Sequence, residues 1–382
     1  MMRPVSLASL ITPTDRFSLH SSPEVGPRAL LACGDAVEVL RATSDRSFQV
    51  AVTDPPYGLN EITPDDFVAA LRCWLAGDVY RPRRRGGFRG RAWDAWVPGP
   101  ELWREVHRCL VPGAFLVCFA SPRTAGLMSA AIQIAGFQAI DLLAWIRGQN
   151  VPKGKNVGRL RAREGDDAWR GYQTRLKSLV EPLLVFQRPL DRPLDANLDA
   201  HRAGALNLDG CRVEGGRLPS NVLFAHEPEC LEGHCKEGCA VAELDQQSGV
   251  LKSGSRREGV YAGMGYGGVE ASILPAVQGS TGGASRFYYC ATASPAERSL
   301  GLGGDLNDHP TVKPLALMRW VVRLASPPQA VLLDPLCGSG TTALAGLAEG
   351  LSVVGVDEDP ATVGLALARL SAWPEYARAS AR

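Results

Sequence analysis

The chain has 382 residues, of which 45% are hydrophobic and 21% charged, and its formal net charge at pH 7 is +1. This composition is typical of a folded globular protein, argues against disorder, and leaves room for one large domain with a smaller insert. Residues 1–10 lack the apolar core of a signal peptide, and no run of about 18 apolar residues occurs, so we expect a cytoplasmic protein without membrane spans. The ten cysteines are then expected to form no disulfide framework.

Strand-like and helix-like segments alternate along much of the chain. Apolar runs predict strands at 29–33, 48–53, 114–120, 140–146, 183–187, 330–333 and 351–356. Helical patterns predict helices at 36–41, 67–74, 102–110, 124–134, 315–325, 341–349 and 361–370. Such alternation predicts an α/β fold in which a mostly parallel sheet carries helices on both faces.

Residues 191–308 interrupt the alternation. Apolar periodicity is weaker there, and glycine, serine and arginine become frequent, as in 253–283. We therefore expect an insert built of loops and not another layer of the sheet. The chain is thereby divided into a catalytic part (1–190), an insert (191–308) and a cofactor-binding part (309–382).

A glycine loop follows the strand predicted at 330–333. The strand ends at Asp334, and Pro335-Leu336-Cys337-Gly338-Ser339-Gly340-Thr341 leads into a helix. Glycines let a ligand approach the backbone, and the helix N-terminus offers free N–H groups. A second strand ends at Asp357, whose carboxylate can bind the two hydroxyls of a ribose. The set predicts a nucleoside-type cofactor, and Asp334 favours a cationic or neutral adduct such as S-adenosylmethionine over a pyrophosphate.

The segment Asp54-Pro55-Pro56-Tyr57 follows the strand predicted at 48–53, so it lies at the carboxyl edge of the sheet, where open α/β folds bind ligands. The prolines lack N–H donors, which leaves the Asp54 carboxylate and the Pro55 carbonyl as acceptors. Two acceptors that hold the hydrogens of an amino group on a base would make its nitrogen more nucleophilic and stabilise the positive charge that develops on it. Tyr57 adds a ring that can stack on a flipped base. The plainer alternative is a proline-rich turn with a surface acid.

Six arginines and no acid lie between positions 81 and 91. Local basic patches bind phosphate even in a protein of near-zero net charge, so this segment predicts DNA contacts. The alternative is a solvated loop. The arginines assigned to DNA are Arg83, Arg84, Arg85, Arg89 and Arg91. The insert is the expected target-recognition region, including Arg256, Arg257 and Arg286.

The insert contains a cluster of two histidines and three cysteines within fourteen positions. Tetrahedral zinc sites take four ligands from such sets. We expect His226, Cys230, Cys235 and Cys239 to bind zinc, with His234 as a substitute ligand. The spacings differ from those of common zinc fingers, and the alternative is a surface loop with free thiols.

The motifs at 54–57 and 334–340 resemble the catalytic and cofactor motifs of amino-directed DNA methyltransferases. The catalytic motif precedes the cofactor loop, which is the circularly permuted beta-type order of that family. Segments 34–35 and 309–314 match further family motifs. A prophage-like branch of site-specific enzymes has segments similar to 87–94, 102–106, 217–221 and 285–290, and the resemblance covers about 30–370.

The resemblance implies a Rossmann-like methyltransferase fold that binds S-adenosylmethionine and double-stranded DNA, often as a homodimer, with nucleoid association and a cognate restriction nuclease. It implies that the cofactor-binding residues are Asp35, Lys313, Asp334, Leu336, Gly338, Gly340, Thr341 and Asp357. Leu336 stands where the family usually has phenylalanine, so an apolar contact is kept and ring stacking is lost. The residues that would act on the base are Asp54, Pro55, Pro56 and Tyr57. Methyl transfer would be a direct in-line attack without a covalent intermediate, so Cys337 is not read as a nucleophile.

Two other functions stay open at this point. A methyltransferase acting on RNA or a protein amide would share related motifs, although the large insert and the motif order favour DNA. A non-catalytic DNA-binding or zinc scaffold would need neither Asp54 nor the glycine loop. The target amino group, N6 of adenine or N4 of cytosine, is also open; an aspartate-led motif leans weakly toward adenine.

Overall fold

The computed structural model describes residues 6–25, 28–82, 86, 92–148, 154–162, 166–227, 229–231, 234–261, 272–274, 276–292, 295–303, 307 and 312–380. The strands are β1 (Ser18–His20), β2 (Ala29–Cys33), β3 (Phe48–Thr53), β4 (Leu110–Phe119), β5 (Gln138–Ile146), β6 (Val180–Gln187), β7 (Val222–Ala225), β8 (Leu251–Lys252), β9 (Gly259–Tyr261), β10 (Ser272–Leu274), β11 (Thr281–Gly282), β12 (Tyr289–Ala291), β13 (Val331–Asp334) and β14 (Ser352–Asp357).

The helices are α1 (Ala36–Arg41), α2 (Pro64–Leu75), α3 (Pro100–Cys109), α4 (Ala125–Ile134), α5 (Val157–Ala162), α6 (Leu194–His201), α7 (Ala240–Ser248), α8 (Pro295–Arg298), α9 (Leu315–Ala325), α10 (Thr341–Ala348) and α11 (Pro360–Ser380). In the described part of the chain, no helix has the length and apolar character needed to cross a membrane.

The start of α2 shows how local sequence sets an element boundary. The Thr63 hydroxyl accepts a hydrogen bond from the Asp66 backbone N–H, and the Asp66 carboxylate accepts one from the Thr63 N–H. This reciprocal capping box pairs two N–H groups that have no partner inside the helix, and Pro64 fits the first turn because it has no N–H to pair. The helix therefore begins at Pro64, whereas apolar periodicity alone predicts a start at position 67.

Ten strands form one sheet in the order β1-β2-β14-β13-β3-β4-β6-β5-β7-β12. Six of its nine strand pairs are parallel, and β1 and β6 provide the antiparallel ones. The predicted α/β fold with a mostly parallel sheet is therefore confirmed.

Alternate residues of β4 pack into two different cores. Phe115, Val117 and Phe119 belong to a core that includes residues of α9, α10 and α11. Leu116 and Cys118 point the other way, into a core with residues of α1 to α4. Successive side chains of a strand point to opposite faces, so a sheet covered on both sides needs a continuous apolar run. All ten residues of β4 are buried, as this requires.

The start of β4 differs from the prediction. The helix predicted at 102–110 and the strand predicted at 114–120 leave Pro112 and Gly113 between them, but both residues lie inside β4. Gly113 has φ +82°, and the pairing with β3 shifts between Phe48–Leu110 and Val50–Phe115. The irregularity accommodates a residue without an N–H and one in the left-handed region, so the strand continues through both.

The insert contributes to the main sheet, contrary to the expectation of loops alone. β7 pairs in parallel with β5, and β12 extends the same edge. These strands have four and three residues, too few for period-two alternation to stand out in the sequence. Strands from 1–190, 191–308 and 309–382 thus share one sheet, and the domain boundaries stay a prediction.

The glycine loop after β13 is supported from behind by Arg369 of α11, which is 1% exposed. One guanidinium nitrogen donates to the Ser339 carbonyl at 2.5 Å and to the Thr341 hydroxyl at 3.0 Å, and the other donates to the Glu297 carbonyl at 3.1 Å. Burial lowers the pKa of Arg369 to about 10. The side chain therefore serves as a buried donor that fixes the shape of the loop.

We expect Arg369→Met to lower the free energy of unfolding by about 1–3 kcal/mol, because two buried carbonyl oxygens lose their donor. Chemical denaturation measures the change. The exposed Arg378 of the same helix provides the control, since Arg378→Met should change stability by less than about 0.5 kcal/mol. Equal stability of the two variants would contradict the supporting role.

Candidate active site

The predicted catalytic and cofactor segments meet where four neighbouring strands end. β2, β14, β13 and β3 lie side by side and parallel, so their carboxyl ends share one edge of the sheet. A cleft of about 560 Å³ opens there. Eight of the predicted site residues line it: Asp35, Asp54, Pro55, Pro56, Tyr57, Leu336, Gly338 and Asp357. A small adjoining cavity is lined by Lys313, Asp334 and Thr341, together with Asp54, Leu336 and Gly338.

The glycine loop is held in a sharp turn by backbone hydrogen bonds. The Cys337 N–H donates to the Val356 carbonyl at 2.7 Å, and the Gly340 N–H donates to the Cys337 carbonyl at 2.9 Å. Gly338 has φ +49° and Gly340 has φ +78°, which a side chain would disfavour. A Cβ on Gly340 would also come within 2.9 Å of the Ala366 Cβ. Only glycine allows this turn directly before α10.

Asp357, at the end of β14, binds the glycine loop through its carboxylate. Its two oxygens accept hydrogen bonds from the Gly338 N–H and the Asp359 N–H, each at 3.0 Å. Burial raises the pKa of this carboxyl. A carboxylate has about four acceptor positions, so it can still accept from ribose hydroxyls in the cleft that it lines.

Asp334, at the end of β13, is 1% exposed. One of its oxygens accepts a hydrogen bond from the Leu336 N–H at 3.2 Å. Burial raises the pKa of Asp334 to about 7. The side chain that was expected to favour a cationic ligand is therefore poised to ionise near neutral pH.

Asp35 and Thr341 have structural partners as well as positions on the site. Asp35 caps α1 by accepting a hydrogen bond from the Glu38 N–H at 3.0 Å, and it lines the cleft. The Thr341 hydroxyl accepts a hydrogen bond from Arg369, so it points toward the guanidinium that supports the loop. Asp35 is exposed and lines the 560 Å³ cleft, whereas Thr341 is 7% exposed and lines the small adjoining cavity.

The backbone of Tyr57 is fixed by side chains that follow it in the sequence. One Asp94 oxygen accepts from the Tyr57 N–H at 2.8 Å and from the Gly58 N–H at 3.1 Å. The Thr124 hydroxyl donates to the Tyr57 carbonyl at 2.7 Å. Asp94 is 2% exposed and Thr124 is also 2% exposed, so both bonds are shielded from water. They set the path of the chain just after the two prolines.

The side chains of the catalytic segment form a compact buried network. The Tyr57 hydroxyl lies 2.7 Å from an Asp54 oxygen and 2.6 Å from a Glu181 oxygen. The Lys313 ammonium contacts the other Asp54 oxygen at 2.6 Å and the same Glu181 oxygen at 3.0 Å. Arg147 approaches the second Glu181 oxygen at 3.4 Å. One ammonium thus lies between two carboxylates that also share one hydroxyl.

This arrangement shifts the pKa of Asp54, Lys313, Glu181 and Tyr57. Burial raises the pKa of Asp54, and the ammonium of Lys313 opposes that rise. Burial works against the charged form of Lys313, but the two carboxylates outweigh it and raise its pKa. For Glu181 burial is likewise opposed by Lys313 and Arg147, which leave its pKa lowered. Burial also raises the pKa of Tyr57 well above 10, so its hydroxyl keeps its proton.

Three of these residues were not predicted from the sequence. Glu181, Asp94 and Thr124 lie far from the motif in the chain and reach it only in the fold. Glu181 carried a readable signal, because a carboxylate in the apolar strand β6 needs a partner when it is buried. Lys313, which was predicted to lie near the cofactor, contacts Asp54 directly.

A family model described as DNA methylase, for enzymes of the N6/N4 type, matches residues 48–367. The match includes the catalytic segment, the insert and the glycine loop. The chain belongs to this DNA methylase family. Its α/β fold and the meeting of the two motifs in one cleft agree with that membership.

Two relatives and one solved structure illustrate the range of similar methylases. The Type II methyltransferase M.HindIII of Haemophilus influenzae is 22% identical over 357 residues, which cover 88% of this chain and 93% of that protein. The DNA adenine methyltransferase YhdJ of Escherichia coli is 32% identical over 72 residues, 19% of this chain and 24% of that protein. The structure of the cytosine-N4-specific PvuII DNA methyltransferase has a TM-score of 0.49 at 12% identity, covering 92% of this chain and 90% of that one.

Two groups of predicted site residues of this methylase remain, the arginines of the segment 83–91 and the Cys and His residues of the insert. Arg83, Arg84, Arg85, Arg89 and Arg91 fall outside the described residues. Trp93, which follows them, is 38% exposed and lines the cleft. His226, Cys230, Cys235 and Cys239 come together in the insert, with their ligand atoms within 4.8 Å of one another. His234 does not belong to that group.

We expect Lys313→Met to reduce methyl transfer to DNA by about 100-fold or more, the usual size of a lost electrostatic contact in an active site. Without the ammonium the pKa of Asp54 rises further, and a protonated carboxyl is a poor acceptor. The pH at half-maximal activity should therefore move upward. Activity measured from pH 6 to pH 9 tests this expectation.

The matched control is the exposed Lys177, since Lys177→Met should leave both rate and pH profile unchanged. Lys313→Arg should restore part of the activity because it keeps a cation between the carboxylates. A Lys313→Met enzyme with lower activity but the pH profile of the native enzyme would show that Lys313 does not act through Asp54.

The raised pKa of Asp334 predicts how stability depends on pH. Its pKa rises from 3.8 to about 7 on folding, so its contribution to stability is complete below pH 3.8 and is lost as the pH rises to about 7. We expect Asp334→Asn, which cannot ionise, to gain stability relative to the native chain over that window, by at most about 1.4 kcal/mol per pH unit.

Thermal or chemical denaturation at pH 5, 6, 7 and 8, without cofactor, measures this difference. The exposed Asp15→Asn variant is the control and should follow the native chain at every pH. A constant difference between Asp334→Asn and the native chain across the series would contradict the raised pKa of Asp334.

Proposed function

We propose that this DNA methylase transfers a methyl group from S-adenosylmethionine to the exocyclic amino group of a base that is flipped out of duplex DNA. The observation that carries the proposal is the single cleft at the carboxyl edge of the sheet. The acceptors of the catalytic segment line one part of it, and Leu336, Gly338 and Asp357 line another. A base and a nucleoside cofactor can therefore meet inside the same space.

The residues of the glycine loop fit S-adenosylmethionine, which supplies an electrophilic methyl group on a sulfonium centre. The positive φ of Gly338 and Gly340 keeps side chains off the loop, so its backbone is open to a ligand. Asp357 accepts from ribose hydroxyls, and Leu336 offers an apolar contact. The carboxyl of Asp334 faces the adjoining cavity, where a cationic ligand favours its ionised form.

The catalytic segment provides what an amino nucleophile needs. The Asp54 carboxylate and the Pro55 carbonyl accept the two amino hydrogens and so localise the lone pair on the nitrogen. As the nitrogen–carbon bond forms and the carbon–sulfur bond breaks, the nitrogen gives up one proton. Asp54 is its acceptor, and burial, which raises the pKa of this carboxyl, strengthens it in that role before the proton passes to solvent.

Lys313 and Glu181 are positioning residues in this scheme, and Tyr57 both holds Asp54 and contacts the base. The ammonium holds one Asp54 oxygen and the tyrosine hydroxyl holds the other, so the carboxylate has little rotational freedom. The Tyr57 hydroxyl also contacts Glu181, and this second contact fixes the plane of the Tyr57 ring. The ring can then stack on a flipped base. Preorganisation of this kind lowers the reorganisation needed during the reaction.

DNA contacts are assigned to the arginine segment and the insert. Arg83, Arg84, Arg85, Arg89 and Arg91 lead in the chain to Trp93 on the wall of the cleft, which supports a role in holding phosphates beside the flipped base. Sequence recognition is assigned to 191–308. The beta-type motif order, a homodimer and a cognate restriction nuclease remain expectations from the resemblance, as does a location on DNA in the cytoplasm.

The proposal includes both amino targets, N6 of adenine and N4 of cytosine. Each has a ring-bound nitrogen with two hydrogens, and the acceptor pair serves both. One relative is a DNA adenine methyltransferase by name, and the family model is described for enzymes of the N6/N4 type. The methylated nucleoside therefore decides the base.

The test incubates the native chain with labelled S-adenosylmethionine and unmethylated genomic DNA, followed by digestion and mass spectrometry of the nucleosides. We expect N6-methyladenine or N4-methylcytosine. Asp54→Ala should lower the yield about 100- to 1,000-fold, since an acceptor essential in the transition state is lost, and cofactor affinity should change less than about threefold.

Asp15→Ala, an exposed substitution outside the cleft, is the matched control and should retain full activity. RNA and bulk protein are run in parallel as methyl acceptors. Methylated RNA or protein with unmodified DNA would replace the proposal with the alternative substrate class. Native activity in Asp54→Ala would reject the assigned chemistry.

A further inference from the structure

The Cys and His cluster lies in the insert, in a part of the fold that the proposed chemistry does not use. His226 directly follows β7, and Cys239 is the N-cap residue of α7. Cys230 and Cys235 lie on the loop between them. The four ligand atoms all fall within 4.8 Å of one another. The chain thus brings one imidazole and three thiols to a single point.

The distances between these atoms match a tetrahedral ion site. The His226 Nδ1 atom lies 3.4 Å from the Cys235 Sγ atom and 3.6 Å from the Cys239 Sγ atom. With zinc–sulfur bonds of about 2.3 Å and zinc–nitrogen bonds of about 2.0 Å, tetrahedral ligands lie about 3.5 Å apart. The two distances from His226 agree with that spacing, and the remaining ligand atoms lie within 4.8 Å of one another, so the four side chains surround a common point.

The surroundings of the sulfurs also suit thiolates. The Lys236 N–H donates to the Cys230 Sγ atom at 3.3 Å, which stabilises negative charge on that sulfur. Cys239 stands at the N-terminus of the nine-residue helix α7, where the helix dipole favours an anion. Cys230 and Cys239 are 5% and 0% exposed, so two of the three sulfurs are shielded from solvent.

A purely apolar explanation accounts for less of this geometry. Cys230, Cys239 and Val241 do form a small core with Phe224 and Cys290, as buried cysteines often do. Apolar packing does not, however, require an imidazole nitrogen that points at two sulfurs. Cys290 packs in the same core but is not part of the ligand group, so geometry and not burial selects the four residues.

We propose that His226, Cys230, Cys235 and Cys239 bind one Zn²⁺ ion and that this ion is structural. Four protein ligands close the coordination shell and leave no position for water or substrate, which is typical of structural zinc. Thiolate and imidazole ligands together favour zinc over magnesium or calcium, which prefer oxygen. The proposal is independent of the methyl-transfer chemistry.

The ion would hold α7 against the edge of the sheet. On the strand side, the His226 N–H donates to the Ala291 carbonyl of β12 at 2.8 Å. On the helix side, Asp245 of α7 accepts from the Ser285 N–H at 2.8 Å and from the Ser285 hydroxyl at 2.7 Å. Metal binding therefore couples the end of β7 to the segment around Ser285 through α7.

That segment carries a buried arginine of the insert. Arg286 is 7% exposed, donates to the Gly282 and Leu251 carbonyls at 2.7 and 2.9 Å, and lies 4.2 Å from the centre of the Phe287 ring. Loss of the ion would release α7 and loosen these contacts. The cleft would be unaffected, because it lies at the ends of β2, β14, β13 and β3. Zinc thus orders the insert without entering the cofactor site.

The first experiment measures zinc in the untagged native chain by mass spectrometry of the metal. We expect about one zinc per chain, and the apo protein should bind Co²⁺ with the strong absorption of cobalt–thiolate bonds. Cys235→Ser should lose most of the zinc, because it removes a half-buried ligand. Cys290→Ser, a neighbouring thiol outside the ligand group, should retain it.

Limited proteolysis and cofactor binding provide the remaining readouts. In Cys235→Ser we expect cleavage within 191–308 to become at least about tenfold faster, while affinity for S-adenosylmethionine changes less than about threefold. Less than about 0.1 zinc per native chain, together with no cobalt–thiolate absorption, would overturn the proposal even if the variant failed to fold. Equal zinc loss in Cys290→Ser and Cys235→Ser would overturn the ligand assignment.

Discussion

The buried contact of Lys313 with Asp54 and Glu181 is the constraint on which the rest of the site depends. Lys313 is 8% exposed, and an isolated charge at that depth would cost several kcal/mol. The cost is offset only because two carboxylates lie within 3.0 Å of the ammonium. The residues come from the two ends and the middle of the chain, so the pairing forms only when the whole sheet has assembled.

The same contact links folding to chemistry. It holds Asp54 in one orientation and, through the shared Tyr57 hydroxyl, holds the aromatic ring beside it. A carboxylate kept in a shielded position is a stronger acceptor than one in water, and Lys313 limits how far burial can raise its pKa. The network thus keeps Asp54 shielded from water, which raises its pKa, while the ammonium of Lys313 favours its ionised form.

The insert relies on a different physical principle. Its own apolar cluster has three buried residues, and its short strands β7 and β12 pair along the edge of the main sheet. Local order there rests on polar contacts such as Asp245 with Ser285, and His226, Cys230, Cys235 and Cys239 come together nearby. These contacts order the insert, while the cleft of the methylase is supported by the main sheet.

The sequence by itself determined the α/β class, most elements, and the two motifs, because apolar periodicity, glycine loops and proline pairs act over a few neighbouring residues. It also predicted, from the number of cysteines and histidines close together in the chain, the four side chains that the fold brings together in the insert. Tertiary structure decided that Glu181, Asp94 and Thr124 belong to the site and that β7 and β12 join the sheet. Those contacts join positions that are between 37 and 124 residues apart, and no local pattern encodes which distant strand ends become neighbours.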